Sequence, residues 1–189
     1  MIYDTQILSN ISKASEFLLN GEIIIYPTDT LYGFGVDARN KLAIQRLNKI
    51  KRRSAPMSVI APNASTVLSW TDISYEDWEM VKKFLRGPTT IILPVKTGIV
   101  HPIIMGSDNS LGIRIPAHSF GPDLSEKLGF PITTTSVNRY GEKPLNNPDD
   151  IIQNFAGEFD LLIDDGTLPD SSGSTIYKLE KSKLVVIRE

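Results

Sequence analysis

An α/β domain, a twisted mixed sheet with flanking helices, is the architecture this sequence predicts, and three observations carry it. Segments of helical period alternate with short β-branched runs along most of the chain, which argues for a sheet covered by helices. Several late strand runs follow one another with no helix between them, so their neighbours cannot all be parallel. The chain has 189 residues, of which 41% are hydrophobic and 22% charged. That composition supports a globular core too large to need disulfide or metal staples. No internal repeat, low-complexity tract or linker divides it, so residues 1–189 are read as a single domain.

In chain order, Ile11, Ala14 and Leu18 recur at helical spacing and Gly21 follows as a helix-ending residue, which predicts a helix over 11–20. Ile23-Ile24-Ile25-Tyr26 is a β-branched run closed by Pro27, whose missing N–H ends regular pairing, and it reads as a strand. Ala43, Leu47 and Ile50 mark a second helix from Lys41 into a basic cluster, after which Met57–Ala61 returns as a strand. Trp78, Val81 and Leu85 share one stripe of a third helix over Tyr75–Leu85, stopped by Arg86-Gly87-Pro88. Thr89–Val95, Gly112–Ile115, Ile132–Thr135, Leu161–Asp164, Ser174–Tyr177 and Leu184–Arg188 complete the predicted strands. Helical segments fall near Pro122–Leu128 and Pro148–Phe155.

Composition excludes several chemistries. With no cysteine there is no thiol nucleophile, no thiolate zinc site and no disulfide. Two histidines, His101 and His118, leave little material for a histidine metal site or a Ser-His-Asp triad. The longest apolar runs, around Ile23–Tyr26 and Thr90–Pro94, fall far short of a membrane span, and the first ten residues lack the basic start of a leader peptide. The expectation is a cytoplasmic protein with no membrane partner. A net charge of −2 argues against a general nucleic-acid binder. The charges are nevertheless uneven. Ala38 to Thr71 holds no acid but carries Arg39, Lys41, Arg46, Lys49, Lys51, Arg52 and Arg53, whereas Glu142 to Asp165 is dominated by acids. A basic side follows, either a solvated helix face or a surface for phosphates.

Gly33-Phe34-Gly35-Val36-Asp37-Ala38 matches the dinucleotide fingerprint G-x-G-x-x-A, which raises an NADP-type oxidoreductase. The context is poor, because Pro27 to Tyr32 separate the first glycine from the strand and the acid needed about twenty residues on is absent. No Walker motif is present, so a triphosphate needs other donors, and Lys51, Arg52 and Arg53 after the second helix are candidates. The same cations also suit a helix C-terminus with no ligand. Thr28-Asp29-Thr30 and Thr133-Thr134-Thr135-Ser136 set hydroxyls just after apolar strands, where crevices form in open α/β sheets.

Taken together, these segments resemble the YrdC/Sua5 family of threonylcarbamoyl-AMP synthases over most of the chain. Pro27-Thr28-Asp29-Thr30-Leu31-Tyr32-Gly33-Phe34-Gly35 is similar to the family's opening P-T-[DE]-T-x-Y-G-L-G, and Lys51-Arg52-Arg53 to its K-x-R. Gly87-Pro88-Thr89-Thr90 resembles G-P-x-T, Gly112 to Pro116 resembles V-x-V-R-x-P, and Thr135-Ser136-Val137-Asn138 resembles T-S-A-N. Asp165-Gly166 and Ser174-Thr175-Ile176 are similar to D-G…S-T-[VI], followed by a strand ending at Arg188.

The resemblance implies an open sheet with a concave basic site and an ATP-dependent synthase. Its substrates would be L-threonine, bicarbonate and ATP, with Mg2+, and its products pyrophosphate and threonylcarbamoyl-AMP for a tRNA modification, threonylcarbamoyladenosine. It further implies that Lys51 and Arg53 are catalytic and contact ATP phosphates, with Ser110, Ser136, Asn138 and Arg188 also lining the nucleotide site. Thr30, Tyr32, Arg114, Thr134 and Ser174 would hold threonine, Arg114 taking its carboxylate, and no protein side chains are singled out as metal ligands. The chain departs from the family at Arg53-Ser54-Ala55-Pro56-Met57, which lacks the lysine before proline, a place Arg52 would fill, and at Tyr140-Gly141, where S-G is usual. The sequence ends just after Arg188, as in the short form that hands its product to a separate tRNA threonylcarbamoyl transferase. Three other readings stand beside this one. They are a non-catalytic relative binding tRNA or double-stranded RNA through the basic side, a carbamoyl-transfer relative of the hydrogenase-maturation type, and the NADP enzyme.

Overall fold

The computed structural model describes residues 2–3 and 7–189, with side chains described from residue 10 onward. The elements are β1 (Ile2–Tyr3), α1 (Ile7–Leu19), β2 (Ile24–Tyr26), β3 (Gly33–Gly35), α2 (Lys41–Lys51), β4 (Ser58–Ile60), α3 (Ala64–Trp70) and α4 (Tyr75–Val81). They continue with β5 (Thr89–Pro94), β6 (Ser110–Arg114), α5 (Phe120–Leu128), β7 (Ile132–Ser136), α6 (Pro148–Phe155), β8 (Leu161–Ile163), β9 (Thr175–Glu180) and β10 (Lys183–Arg188). The strands form one ten-stranded sheet in the order β1-β8-β2-β3-β7-β4-β6-β5-β9-β10. It is mixed, as predicted. β4 runs parallel to β6 and β5 to β9, while β3 is antiparallel to both of its neighbours.

Both faces of the central sheet are covered, which is why β2 is apolar without alternation. Ile24 and Tyr26 pack with Ala14 and Leu18 of α1 and Leu124 of α5. Ile23 and Ile25 face the opposite cluster with Ile44 and Leu47 of α2 and Phe155 of α6. Local chemistry fixes the ends of α2. The Asn40 side chain accepts from the N–H groups of Leu42 and Ala43, and Arg52 closes the helix in the left-handed region with φ 53°. The buried last turn of the helix therefore delivers Lys51 to the sheet, and the chain turns so that Arg53 follows it into the same hollow.

The structure departs from the sequence reading in a few places. Gly33-Phe34-Gly35 is strand β3, not a strand-to-helix phosphate loop, and this overturns the dinucleotide-binding reading. The glycine at 35 answers to packing, since a Cβ there would lie 2.6 Å from the Tyr26 ring. Helix α3 was not predicted, and its start is set by Asn63, whose side chain accepts from Thr66 N–H at 2.9 Å. The helix predicted to Leu85 ends as α-helix at Val81. β9 runs on to Glu180 and turns into β10 through Lys181 and Ser182, both at positive φ, a two-residue hairpin with none of the usual glycine or asparagine. No helix among the described residues is long and apolar enough to cross a membrane. The leader-peptide reading concerns residues 1–10, most of which lie outside the described side chains.

Candidate active site

A cavity of about 400 Å³ opens between the loop that follows β2, the end of α2 and strands β4, β6, β7 and β9. Of the residues predicted to form the site, Thr30, Tyr32, Lys51, Arg53, Arg114, Thr134, Ser136, Asn138, Ser174 and Arg188 all line it. Arg53, Arg114 and Arg188, far apart in sequence, thus share one hollow. Ser110 is not in the lining. It lies four residues before Arg114 on the same face of β6, and its hydroxyl donates to the Ser107 carbonyl at 2.7 Å. It borders a separate hollow with Ile92 and Lys178 instead.

At one end of the cavity Arg114 is only 5% exposed. Its Nη2 is bound to Asp29 and its Nη1 donates to the Thr30 hydroxyl at 3.2 Å, while its Nε–H is buried with no partner. Burial pushes the guanidinium down from its ordinary value against the pull of Asp29, and the neighbouring Arg188 pushes the same way. Above it, the Ser174 and Thr90 hydroxyls pair at 2.7 Å, and Arg188 Nη2 donates to the Ser174 carbonyl at 2.8 Å. Tyr32 donates its phenol proton to the Gly166 carbonyl and accepts from Asp165 N–H, both at 2.8 Å, so it ties the loop that precedes Ser174. Burial raises that phenol to about 12, so it remains a donor across the physiological range. Thr134 sits over Gly33, where a Cβ would approach its hydroxyl to 3.2 Å.

At the other end Lys51 is 2% exposed and its ammonium meets three protein oxygens. These are the Ser136 carbonyl, the Asn138 carbonyl at 3.0 Å and Asn138 Oδ1 at 3.1 Å. The Ser136 hydroxyl donates to the same Oδ1 at 2.6 Å, and the Asn138 amide donates to the Glu142 carbonyl at 2.7 Å. Lys51 therefore shapes the turn after β7. Burial, with Arg53 close by, pushes it down to about 7. Arg53 lines the same end; its backbone N–H donates to the Asn48 carbonyl at 3.1 Å, while its guanidinium makes no hydrogen bond or ion pair among the described residues. Its five donors are open to an anion.

The basic stretch does not gather into one face. Arg39 pairs with Asp37 and stacks over Phe130, and Arg46 pairs with Asp160. Arg52 is exposed outside the cavity lining, so it does not fill the place of the missing lysine. Sequence reasoning missed Asp29, Thr90 and Ser58. The first stands inside the opening motif with no role of its own assigned, and the other two look like ordinary strand hydroxyls.

Comparison with known proteins supplies the family. The Sua5/YciO/YrdC family model, described as "Telomere recombination", matches residues 16–189. The chain belongs to that family. It is 38% identical over 183 residues to a putative threonylcarbamoyl-AMP synthase of Methanocaldococcus jannaschii, covering 94% of this chain and 86% of that one. It is 31% identical over 160 residues to the threonylcarbamoyl-AMP synthase of Idiomarina loihiensis, covering 82% and 86%. A crystal structure of P. abyssi Sua5 complexed with L-threonine superposes with a TM-score of 0.88 at 26% identity, covering 100% of this chain. This chain spans 56% of the length of that Sua5.

Proposed function

We propose that the protein is an L-threonylcarbamoyladenylate synthase, making threonylcarbamoyl-AMP and pyrophosphate from L-threonine, bicarbonate and ATP. The observation that carries this is the single cavity shared by Arg53, Arg114 and Arg188, with hydroxyls from β7 and the start of β9 between them. Three cations around a polar hollow suit two anionic substrates, and the synthase relatives supply the chemical class.

The reaction asks for position and charge, not for a protein nucleophile. The threonine amine adds to the carbon of bicarbonate with loss of water and gives a carbamate. A carbamate oxygen then attacks the α-phosphorus of ATP, the bond to the bridging oxygen breaks, and pyrophosphate leaves with the electron pair. Arg114 holds the threonine carboxylate with N–H groups left over from Asp29 and Thr30, two of its five being committed. Arg53 neutralises charge on the triphosphate, and Lys51 holds the turn that presents Ser136 and Asn138 to it. Arg188 adds a third cation at the Arg114 end, held to the Ser174 carbonyl. Packing separates threonine from serine, which limits discrimination to about 1–3 kcal/mol per methyl-sized group.

No carboxylate lines the cavity, and no group of three candidate metal ligands occurs among the described residues. These residues do not form a magnesium site of their own. Mg2+ would enter with the triphosphate and would supply charge neutralisation there. The mixed-anhydride product is labile, and it passes to a separate transferase acting on tRNA in a cytoplasmic compartment. The test is pyrophosphate release from ATP with threonine and bicarbonate each omitted in turn. Release that needs both and is lost in Arg114→Ala supports the reading; release indifferent to threonine refutes it.

A further inference from the structure

The geometry points to Asp29 as a positioning residue that sets the threonine carboxylate site by holding Arg114, an inference that rests on the synthase reading above. Asp29 is absent from the cavity lining, yet its carboxylate ties the loop that follows β2 to Arg114 and to the segment beyond it. Oδ1 accepts from Arg114 Nη2, and Oδ2 accepts from the backbone N–H of Ala117 at 2.8 Å. One side chain of the loop after β2 thereby fixes both the last residue of β6 and the segment leading to α5. Asp29 is also the acid paired with a guanidinium that is almost wholly buried and feels the charge of Arg188 nearby. Without that carboxylate the two arginines would face each other uncompensated.

The second anchor braces the same loop. Thr28 Oγ1 donates to the Leu31 carbonyl at 2.7 Å, accepts from the backbone N–H groups of Thr30 and Leu31, both at 3.2 Å, and lies 3.1 Å from the Thr30 hydroxyl. Thr30 in turn accepts from Arg114 Nη1. Thr30 thereby ties the guanidinium to the loop that follows β2. Asp29 and Thr30 together fix the guanidinium plane. The buried Nε–H left without a partner marks an arginine held in an orientation imposed by its neighbours. Such a donor set is organised before the substrate arrives.

Asp29→Asn keeps the shape and removes the charge. The expected result is a rise of about tenfold or more in the KM and the calorimetric Kd for L-threonine, the loss typical of a charge-assisted hydrogen bond. The kcat and the KM for ATP stay within about twofold, and Asp29→Glu restores most of the threonine affinity. In an Arg114→Lys background, where no guanidinium remains to be oriented, Asp29→Asn adds less than about twofold. Asp29→Ser carries the same expectation and serves if Asp29→Asn does not fold. Unchanged threonine affinity, an equal loss for ATP, or the same factor in both backgrounds would overturn the inference. A wild-type protein that binds no threonine tells against the synthase reading itself; one that binds threonine but ignores Asp29→Asn tells against the role of Asp29 alone.

Discussion

Lys51 makes nucleotide binding depend on pH in a way that can be worked out from its surroundings. Burial, with Arg53 close by, pushes its ammonium down to about 7 from the ordinary 10.5. A triphosphate brings negative charge to the same end of the cavity and favours the protonated form. The bound-state value therefore lies above the free-state value. By linkage, ATP affinity is fully present below about 7 and falls as pH rises through the interval up to the bound-state value. At pH 8, above the free-state value, most of the free protein would carry a neutral Lys51, so ATP binding would take up a fraction of a proton, and affinity would fall by at most about tenfold per pH unit. The assay is calorimetry at pH 8 in two buffers of different ionisation enthalpy, with magnesium saturating so that the nucleotide contributes no proton of its own. Lys51→Arg, which stays charged, abolishes the buffer dependence. Equal heats in both buffers for the wild type would refute the reasoning, and so would affinity that rises with pH.

Other expectations follow from the same geometry. Arg53→Ala raises the KM for ATP by about tenfold or more, while Arg52→Ala, exposed outside the cavity, changes it by less than about twofold; steady-state kinetics with varied ATP separates the two. Tyr32→Phe removes a donor and an acceptor that hold Gly166 and Asp165, at a cost of about 1–3 kcal/mol in urea unfolding, and raises the KM for threonine because the loop leading to Ser174 loosens. Gly35→Ala places a methyl 2.6 Å from the Tyr26 ring and destabilises by about 1–3 kcal/mol or more, read as a lowered midpoint in the same unfolding assay.

Much of this fold is legible in the sequence because period and burial coincide. β2 is a β-branched run between a glycine turn and a proline, and α2 carries its apolar stripe into a basic end that the structure turns to use. β3 is the opposite case. Two of its three residues are glycine, which reads as loop, and the reason for glycine at 35 is a tyrosine nine residues earlier that only the folded sheet brings alongside. The two-residue hairpin at Lys181-Ser182 is hidden for a related reason, since neither residue advertises a positive φ.

The site divides in the same way. Motif order, through the family resemblance, singled out Arg53, Arg114, Ser136 and Ser174, and the fold brings these four to one cavity. It did not reveal how the groups are wired. Lys51 reads as a phosphate ligand, yet its ammonium is engaged by the turn carrying Ser136 and Asn138. Arg39 and Arg46 look the same as Arg53 in a charge count, and only their spatial neighbours Asp37 and Asp160 take them out of the site. Asp29 is one letter of a motif until its reach to Arg114 and Ala117 is seen.

The most direct measurement of the central claim follows one carbon atom. The protein is supplied with ATP, L-threonine and 13C-labelled bicarbonate, and the nucleotide product is weighed by mass spectrometry. An adenylate that carries both the threonine mass and one labelled carbon, formed in step with pyrophosphate, is the predicted result. Turnover of ATP that leaves the label in solution would contradict the account.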